Sequence, residues 1–209
     1  MMSKGIFITG IDTGVGKTLV SAMLAEALGW DYWKPVQAGN LEQSDSIRVS
    51  ELLTNKQTVI HPETYRLKSA MSPHTAAKID GVTISLNDFS MPSSSRGIIV
   101  EGAGGAMSPV SDGHVVGDLA LHLGLPVIVV SANYLGSINH TLLTLHYLKS
   151  SGMKMTGIIF SGEEDEPIES YILKYAGVRM IGRLPLMENP DAGLIREAAD
   201  RFDTSSILS

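Results

Sequence analysis

The sequence predicts an α/β domain built on a doubly wound, mostly parallel sheet. Three observations lead there. Apolar runs too short for helices alternate with helical stretches along most of the 209 residues. Those runs are continuously apolar rather than alternating, as strands covered by helices on both faces must be. The first strand also runs through a glycine-rich turn directly into the first helix.

Taken in order, Gly5-Ile-Phe-Ile-Thr9 reads as the first strand and Leu19 to Leu28 as the first helix, with Gly10-Ile-Asp-Thr-Gly-Val-Gly-Lys-Thr18 between them. Trp30 to Lys34 is a second strand, and Ser44 to Leu53 a second helix with apolar residues at Ile47, Val49, Leu52 and Leu53. Residues 55–96 are less regular. Ser72-Pro-His74 opens a short helix there, and Pro92 to Arg96 is a loop. Regular alternation resumes with strand Gly97 to Glu101, a turn at Gly102 to Gly105, and a helix near 115–124. Strand Leu125 to Ser131, a helix near 137–151, strand Met155 to Phe160 and a helix near 167–176 follow. Strand Val178 to Gly182 and a helix near 191–202 close the chain. With no linker to divide it, residues 1–209 read as one domain.

Composition narrows the function. Net charge of −6 and a pI near 5.5 oppose a broad nucleic-acid surface, which concentrates Lys and Arg. No apolar run approaches the roughly 20 residues that cross a bilayer. The start lacks the pattern of an export signal, and the absence of Cys agrees with a reducing compartment, so the cytoplasm is the expected location. A small-molecule phosphate is therefore the expected ligand.

The 10–18 segment is built to receive it. Inward-facing backbone N–H groups of Gly14, Val15 and Gly16, the positive end of the following helix, the Lys17 ammonium and the Thr18 hydroxyl together form a phosphate cradle with a place for magnesium. The loop makes the fold P-loop NTPase-like and a nucleoside triphosphate the expected ligand. It is a variant, since five residues rather than four separate Gly10 from Gly16. Three more polar groups fall where strands of such a sheet end: Lys34, Asp45 and Glu101. Oxygen donors from Thr18, Asp45 and Glu101 suit magnesium, whereas the six His show no paired-ligand spacing for a transition metal. Asp45 reads as the cap of its helix, and a second Lys, Lys34, can offset charge developing near a γ-phosphate.

Together with these residues, Tyr32-Trp-Lys-Pro-Val-Gln-Ala-Gly39, Ser72-Pro-His74, Val100-Glu-Gly-Ala-Gly-Gly105, Leu135-Gly-Ser-Ile-Asn-His140 and Pro185-Leu-Met-Glu-Asn-Pro190 resemble the successive motifs of the dethiobiotin synthetases. The resemblance covers nearly the whole chain. It implies an ATP- and magnesium-dependent ligase of biotin biosynthesis that closes the ureido ring of dethiobiotin from 7,8-diaminononanoate and CO2. It also implies a homodimer with its active site near the interface. Carried over by position, it assigns magnesium to Thr18, Asp45 and Glu101, and the nucleotide to Gly14 through Thr18 and to Glu101, Gly102, Ala103 and Gly104. Lys34, Lys17 and Thr13 act on the reacting groups, and Pro185, Leu186 and Met187 lie beside the adenine or ribose. Ala38 would face the substrate. Gly136, Ser137, Ile138 and Asn139 would receive its carboxylate from the neighbouring subunit, with Ser137 capping a helix. The chain departs from the family at Ile11, usually Thr, at Ala38, often a hydroxyl residue, and at Ser161, where an Asn can read adenine. Loss of that amide predicts weaker discrimination among nucleotides.

Two other readings compete. A partitioning-type ATPase switch shares the fold and a related loop but carries Lys where this chain has Asp12. A cobyrinate-type amidoligase needs a glutamine-hydrolysing domain with a Cys nucleophile, and the chain contains no Cys.

Overall fold

The computed structural model describes residues 4–208. Eleven strands and eight α-helices follow one another among these residues. The first half comprises β1 (Gly5–Gly10), α1 (Lys17–Leu28), β2 (Asp31–Trp33), β3 (Val36–Ala38), α2 (Asp45–Leu52), β4 (Ile60–His61), β5 (Tyr65–Leu67), α3 (Pro73–Asp80) and β6 (Ile98–Gly105). The second half comprises β7 (Pro109–Ser111), β8 (His114–Val115), α4 (Val116–His122), β9 (Val127–Ala132), α5 (Ser137–Ser150), β10 (Met155–Ser161), α6 (Glu166–Ala176), β11 (Met180–Leu184), α7 (Ala192–Ala199) and α8 (Ser205–Leu208).

Seven strands form one sheet in the order β11-β10-β9-β1-β6-β2-β4, every pairing parallel. Period-two side-chain alternation sends Phe7, Val100, Val129 and Phe160 to one face and Ile6, Ile8, Ile99, Val130 and Ile159 to the other. Helices α3 to α6 cover the first face, through Ala76, Leu119, Leu145 and Ile172. The second is covered by α1, α2 and α7, through Val20, Leu24, Leu52 and Ile195. Burial on both faces is why the strands read as unbroken apolar runs. The phosphate-loop glycines reach αL geometry that other residues avoid: Gly16 has φ +94°, and a Cβ there would stand 2.5 Å from Leu184 Cδ2.

Some boundaries differ from the sequence reading for identifiable reasons. Gly102 to Gly105 is not a free turn, because Gly105 pairs with Gly10 and keeps the segment in β6. The cap of α2 is Ser44, whose hydroxyl accepts from Ile47 N at 3.4 Å, and Asp45 is the first helical residue. Gly136, at φ +102°, begins α5 without any side-chain cap, so Ser137 does not cap it; its hydroxyl is buried with no hydrogen-bond partner among the described residues. Residues 55–96 contain β4 on the sheet edge, and β5 pairs with β3 in a small second sheet. Among the described residues no helix is long and apolar enough to cross a membrane.

Candidate active site

Four elements converge on the carboxyl edge of β1, β6 and β2. The turn after β1 and the start of α1 deliver Lys17 and Thr18. The exit of β2 delivers Lys34, the start of α2 delivers Asp45, and β6 delivers Glu101. Lys34 Nζ stands 2.5 Å from Asp45 Oδ2 and 2.9 Å from Glu101 Oε1, with Gly102 O at 3.4 Å. Thr18 Oγ1 donates to the same Glu101 oxygen at 3.0 Å. Lys34 and Glu101 are 4% and 1% exposed, so their charges are offset by each other rather than by water.

Burial alone disfavours the Lys34 ammonium, but the neighbouring Glu101 and Asp45 carboxylates hold its pKa above the usual lysine value. Burial likewise opposes the Asp45 carboxylate, and the ammonium of Lys34 with the Thr18 hydroxyl keeps its pKa below the ordinary value. Lys17 goes the other way. Burial, then the charge of Lys34, pushes it down to about 8. Its Nζ folds back onto Asp12 O at 2.9 Å, while Asp12 Oδ1 accepts Thr13 N at 2.7 Å. Asp12 therefore shapes the loop from within.

Two contributors escaped the sequence reading. Tyr32, wholly buried in β2, donates its hydroxyl to Glu101 Oε2 at 2.9 Å and so occupies that carboxylate's second oxygen. Gln37 accepts Asp45 N at 3.2 Å and donates to Gly39 O at 3.0 Å, fixing the start of α2 against β3. Each is a polar side chain within a short strand, and its partner is fixed only by the fold.

Beside this cluster lies a cavity of about 450 Å³. Thr13, Lys34, Ala38, Asp45, Ala103 and Gly104 line it, as do Gln37, Ser108 and the 70–73 segment that leads into α3. The irregular region thus supplies a wall of the site. Gly104 at φ +82° would place a Cβ 3.5 Å from Thr13 Oγ1, so both sides of the cavity mouth approach closely. Gly136, Ser137, Ile138 and Asn139 lie at the start of α5 and do not line this cavity. Pro185, Leu186 and Met187 follow β11; Leu186 is 72% exposed, and Met187 packs against the core beneath α1. Ile11 sits between the two cores, its N–H donating to Val130 O at 3.1 Å. Ser161 is buried and donates to Val15 O at 2.8 Å, so its hydroxyl is spent on the phosphate loop. Gly14, Val15 and Gly16 complete the loop above it.

Thr18, Asp45 and Glu101 offer only oxygen donors, the kind a hard divalent cation prefers. Among the described residues no cluster of three or more His, Asp or Glu can hold a metal ion. Two carboxylates and a hydroxyl suit an ion that keeps several waters and phosphate oxygens in its shell.

Comparison with known proteins agrees with this architecture. Residues 4–192 match a family model described as an AAA domain. In solved structures, the septum site-determining protein MinD of Pyrococcus horikoshii, complexed with Mg-ADP, superposes with a TM-score of 0.59 at 13% identity, covering 95% of each chain. A plasmid partition protein of Borrelia burgdorferi gives 0.58 at 14% identity, covering 100% of this chain and 97% of the other. At those identities the likeness is one of fold. Sequence relatives are nearer. The ATP-dependent dethiobiotin synthetase of Christiangramia forsetii is 47% identical over 96% of this chain and 97% of its own. That of Cytophaga hutchinsonii is 46% identical over 95% of each. With likeness of that extent, the chain belongs to the ATP-dependent dethiobiotin synthetase family of enzymes.

Proposed function

We propose that the protein makes dethiobiotin from 7,8-diaminononanoate, CO2 and ATP, working with magnesium as a cytoplasmic homodimer. The observation that carries the reading is the buried Lys34 ammonium, held between Glu101 and Asp45 and opening with Thr13 onto a cavity of about 450 Å³ beside the phosphate loop. That cavity has room for a small diamine next to a transferring phosphate.

One amine of the substrate adds to CO2, loses a proton and becomes a carbamate. A carbamate oxygen then attacks the γ-phosphorus, the bond to the β,γ-bridging oxygen breaks, and ADP leaves. The second amine attacks the carbonyl of the resulting carbamic-phosphoric anhydride, expels inorganic phosphate and closes the ureido ring. Both nitrogens belong to one bound molecule, so closure is intramolecular and no protein nucleophile is needed. Lys17 and Lys34 oppose the negative charge that develops on the phosphate oxygens, and Thr13 hydrogen-bonds the group being transferred. Magnesium on Thr18, Asp45 and Glu101 would neutralise triphosphate charge. Backbone groups from Gly102 to Gly104 border the phosphates, Pro185 to Met187 the nucleoside, and Ala38 the diamine. The start of α5, Gly136 to Asn139, takes the substrate carboxylate of the partner subunit.

The test is turnover of Lys34→Gln. Loss of about 100-fold or more in dethiobiotin formation, with ADP affinity nearly unchanged, is the expected result. A near-normal rate removes Lys34 from the chemistry. ATP hydrolysis stimulated by DNA or lipid, and indifferent to diamine and bicarbonate, would point instead to a partitioning-type switch.

A further inference from the structure

The Lys34 cluster lies on the β2 and β6 side of β1, so a nucleotide whose terminal phosphate faces Lys34 must extend its base toward the exits of β9, β10 and β11. Those exits are braced by a side-chain cluster that plays no part in the chemistry above. Glu169, buried on α6, pairs with Arg183 of β11 at 2.8 Å between Oε1 and Nη1 and at 2.5 Å between Oε2 and Nη2. Its Oε1 also accepts from Asn133 Nδ2, at 2.5 Å, and from Asp165 N, at 3.3 Å. Asn133 Nδ2 in turn donates to Glu163 O at 3.0 Å. One carboxylate thereby ties the exit of β9, the loop after β10 and strand β11 to the first turn of α6. The same loop is held at its root by Gly162 N to Leu184 O at 2.9 Å and by the Ser161 hydroxyl on the phosphate loop. Burial disfavours the Glu169 carboxylate, yet the bonds from Arg183, Asn133 and Asp165 hold its pKa below the usual value, so it stays charged.

We infer that Glu169 is a positioning residue for the nucleoside end of the ATP site, acting through Asn133 and Arg183 to fix the 161–163 backbone against which the base packs. The inference rests on the nucleotide orientation proposed above. The phosphate loop has internal anchors in Lys17 and Asp12, with Ser161 only at the edge of the braced segment, so loosening the brace weakens chiefly the part of the ligand that carries a base.

Calorimetric titration of the full-length protein with ADP and, separately, with inorganic tripolyphosphate tests this in wild type and Glu169→Gln. The variant keeps the side-chain volume and removes the charge that pairs with Arg183. ADP affinity falling about tenfold while tripolyphosphate affinity stays within about twofold is the expected result, accompanied by a raised KM for ATP at nearly unchanged kcat. Equal weakening of both ligands, or no weakening of either, overturns the inference. Should Glu169→Gln not fold, Asn133→Ser keeps the Arg183–Glu169 ion pair, removes the amide's links to Glu169 and to the Glu163 carbonyl, and is held to the same ratio. Because these titrations need no diamine, the result is independent of whether dethiobiotin is the product.

Discussion

At the scale of single residues, the site is governed by which charges share a buried volume. Lys17 and Lys34 are both cationic, but only Lys34 has carboxylates in contact, and their pKa values part accordingly. In the proposed site Lys17 holds phosphate in its protonated form. With a free-state pKa near 8, it carries that proton below pH 8 and loses it above, whereas a bound phosphate favours keeping it. ADP affinity is therefore expected to level off on the acid side and to fall by up to about tenfold per pH unit on the alkaline side of this value. Fluorescence titration from pH 6 to 10 measures it, and a flat profile through pH 8 to 9 contradicts the assignment. Removing the like charge with Lys34→Gln should move the inflection to higher pH. Lys17, Thr18, Lys34 and Asp45 were legible in the sequence because each follows a strand or opens a helix, and Glu101 because the apolar run of β6 stops at it, although the strand itself continues to Gly105. Tyr32 and Gln37 were not: their importance comes from partners 69 and 8 residues away, which no local pattern encodes.

Among elements, what could be read depended on length. Strands of five to eight residues with helices on both faces announce themselves as apolar runs, and β1, β6, β9, β10 and β11 were all visible in that way. Pairs such as β3 with β5 and β7 with β8 have two or three residues each, too few to show any period. Helix starts were misassigned by one residue where two candidates adjoin. Ser44 outcompetes Asp45 because the hydroxyl reaches Ile47 N while the carboxylate is drawn toward Lys34. At α5 the αL glycine, not the serine after it, makes the entry. The cap of α7 is simpler. Asp191 accepts Leu194 N at 2.9 Å, and α7 packs Ile195 into the core that also holds α1. Asp191→Ala should lower stability by about 1 kcal/mol, seen as a reduced urea midpoint at constant m-value. An unchanged midpoint would mean that packing alone sets this helix.

For the whole molecule, the sheet divides the labour about β1. The β2 and β6 side gathers charge and the small cavity, and the β9 to β11 side gathers hydrogen-bonded loops able to meet a flat base. The start of α5 does not line the cavity of its own chain, and Leu135 beside it is fully exposed. A partner that brings its own α5 to the cavity would complete the site. Light scattering at micromolar concentration should accordingly give twice the chain mass of 22.4 kDa. A strictly monomeric protein with full activity would exclude a shared site.

The ammonium of Lys34 resting between two acids bears on how inhibitors of this enzyme ought to be built. A bare polyanion entering the centre has to prise the lysine from Asp45 and Glu101 and leave the buried Glu101 carboxylate without its counter-charge in a dry interior. A compound that arrives already chelating a divalent ion offers those acids a replacement counter-charge as the lysine turns to it. Chelators carrying their metal should therefore be the better leads, and metal-free analogues of the same shape the poorer ones.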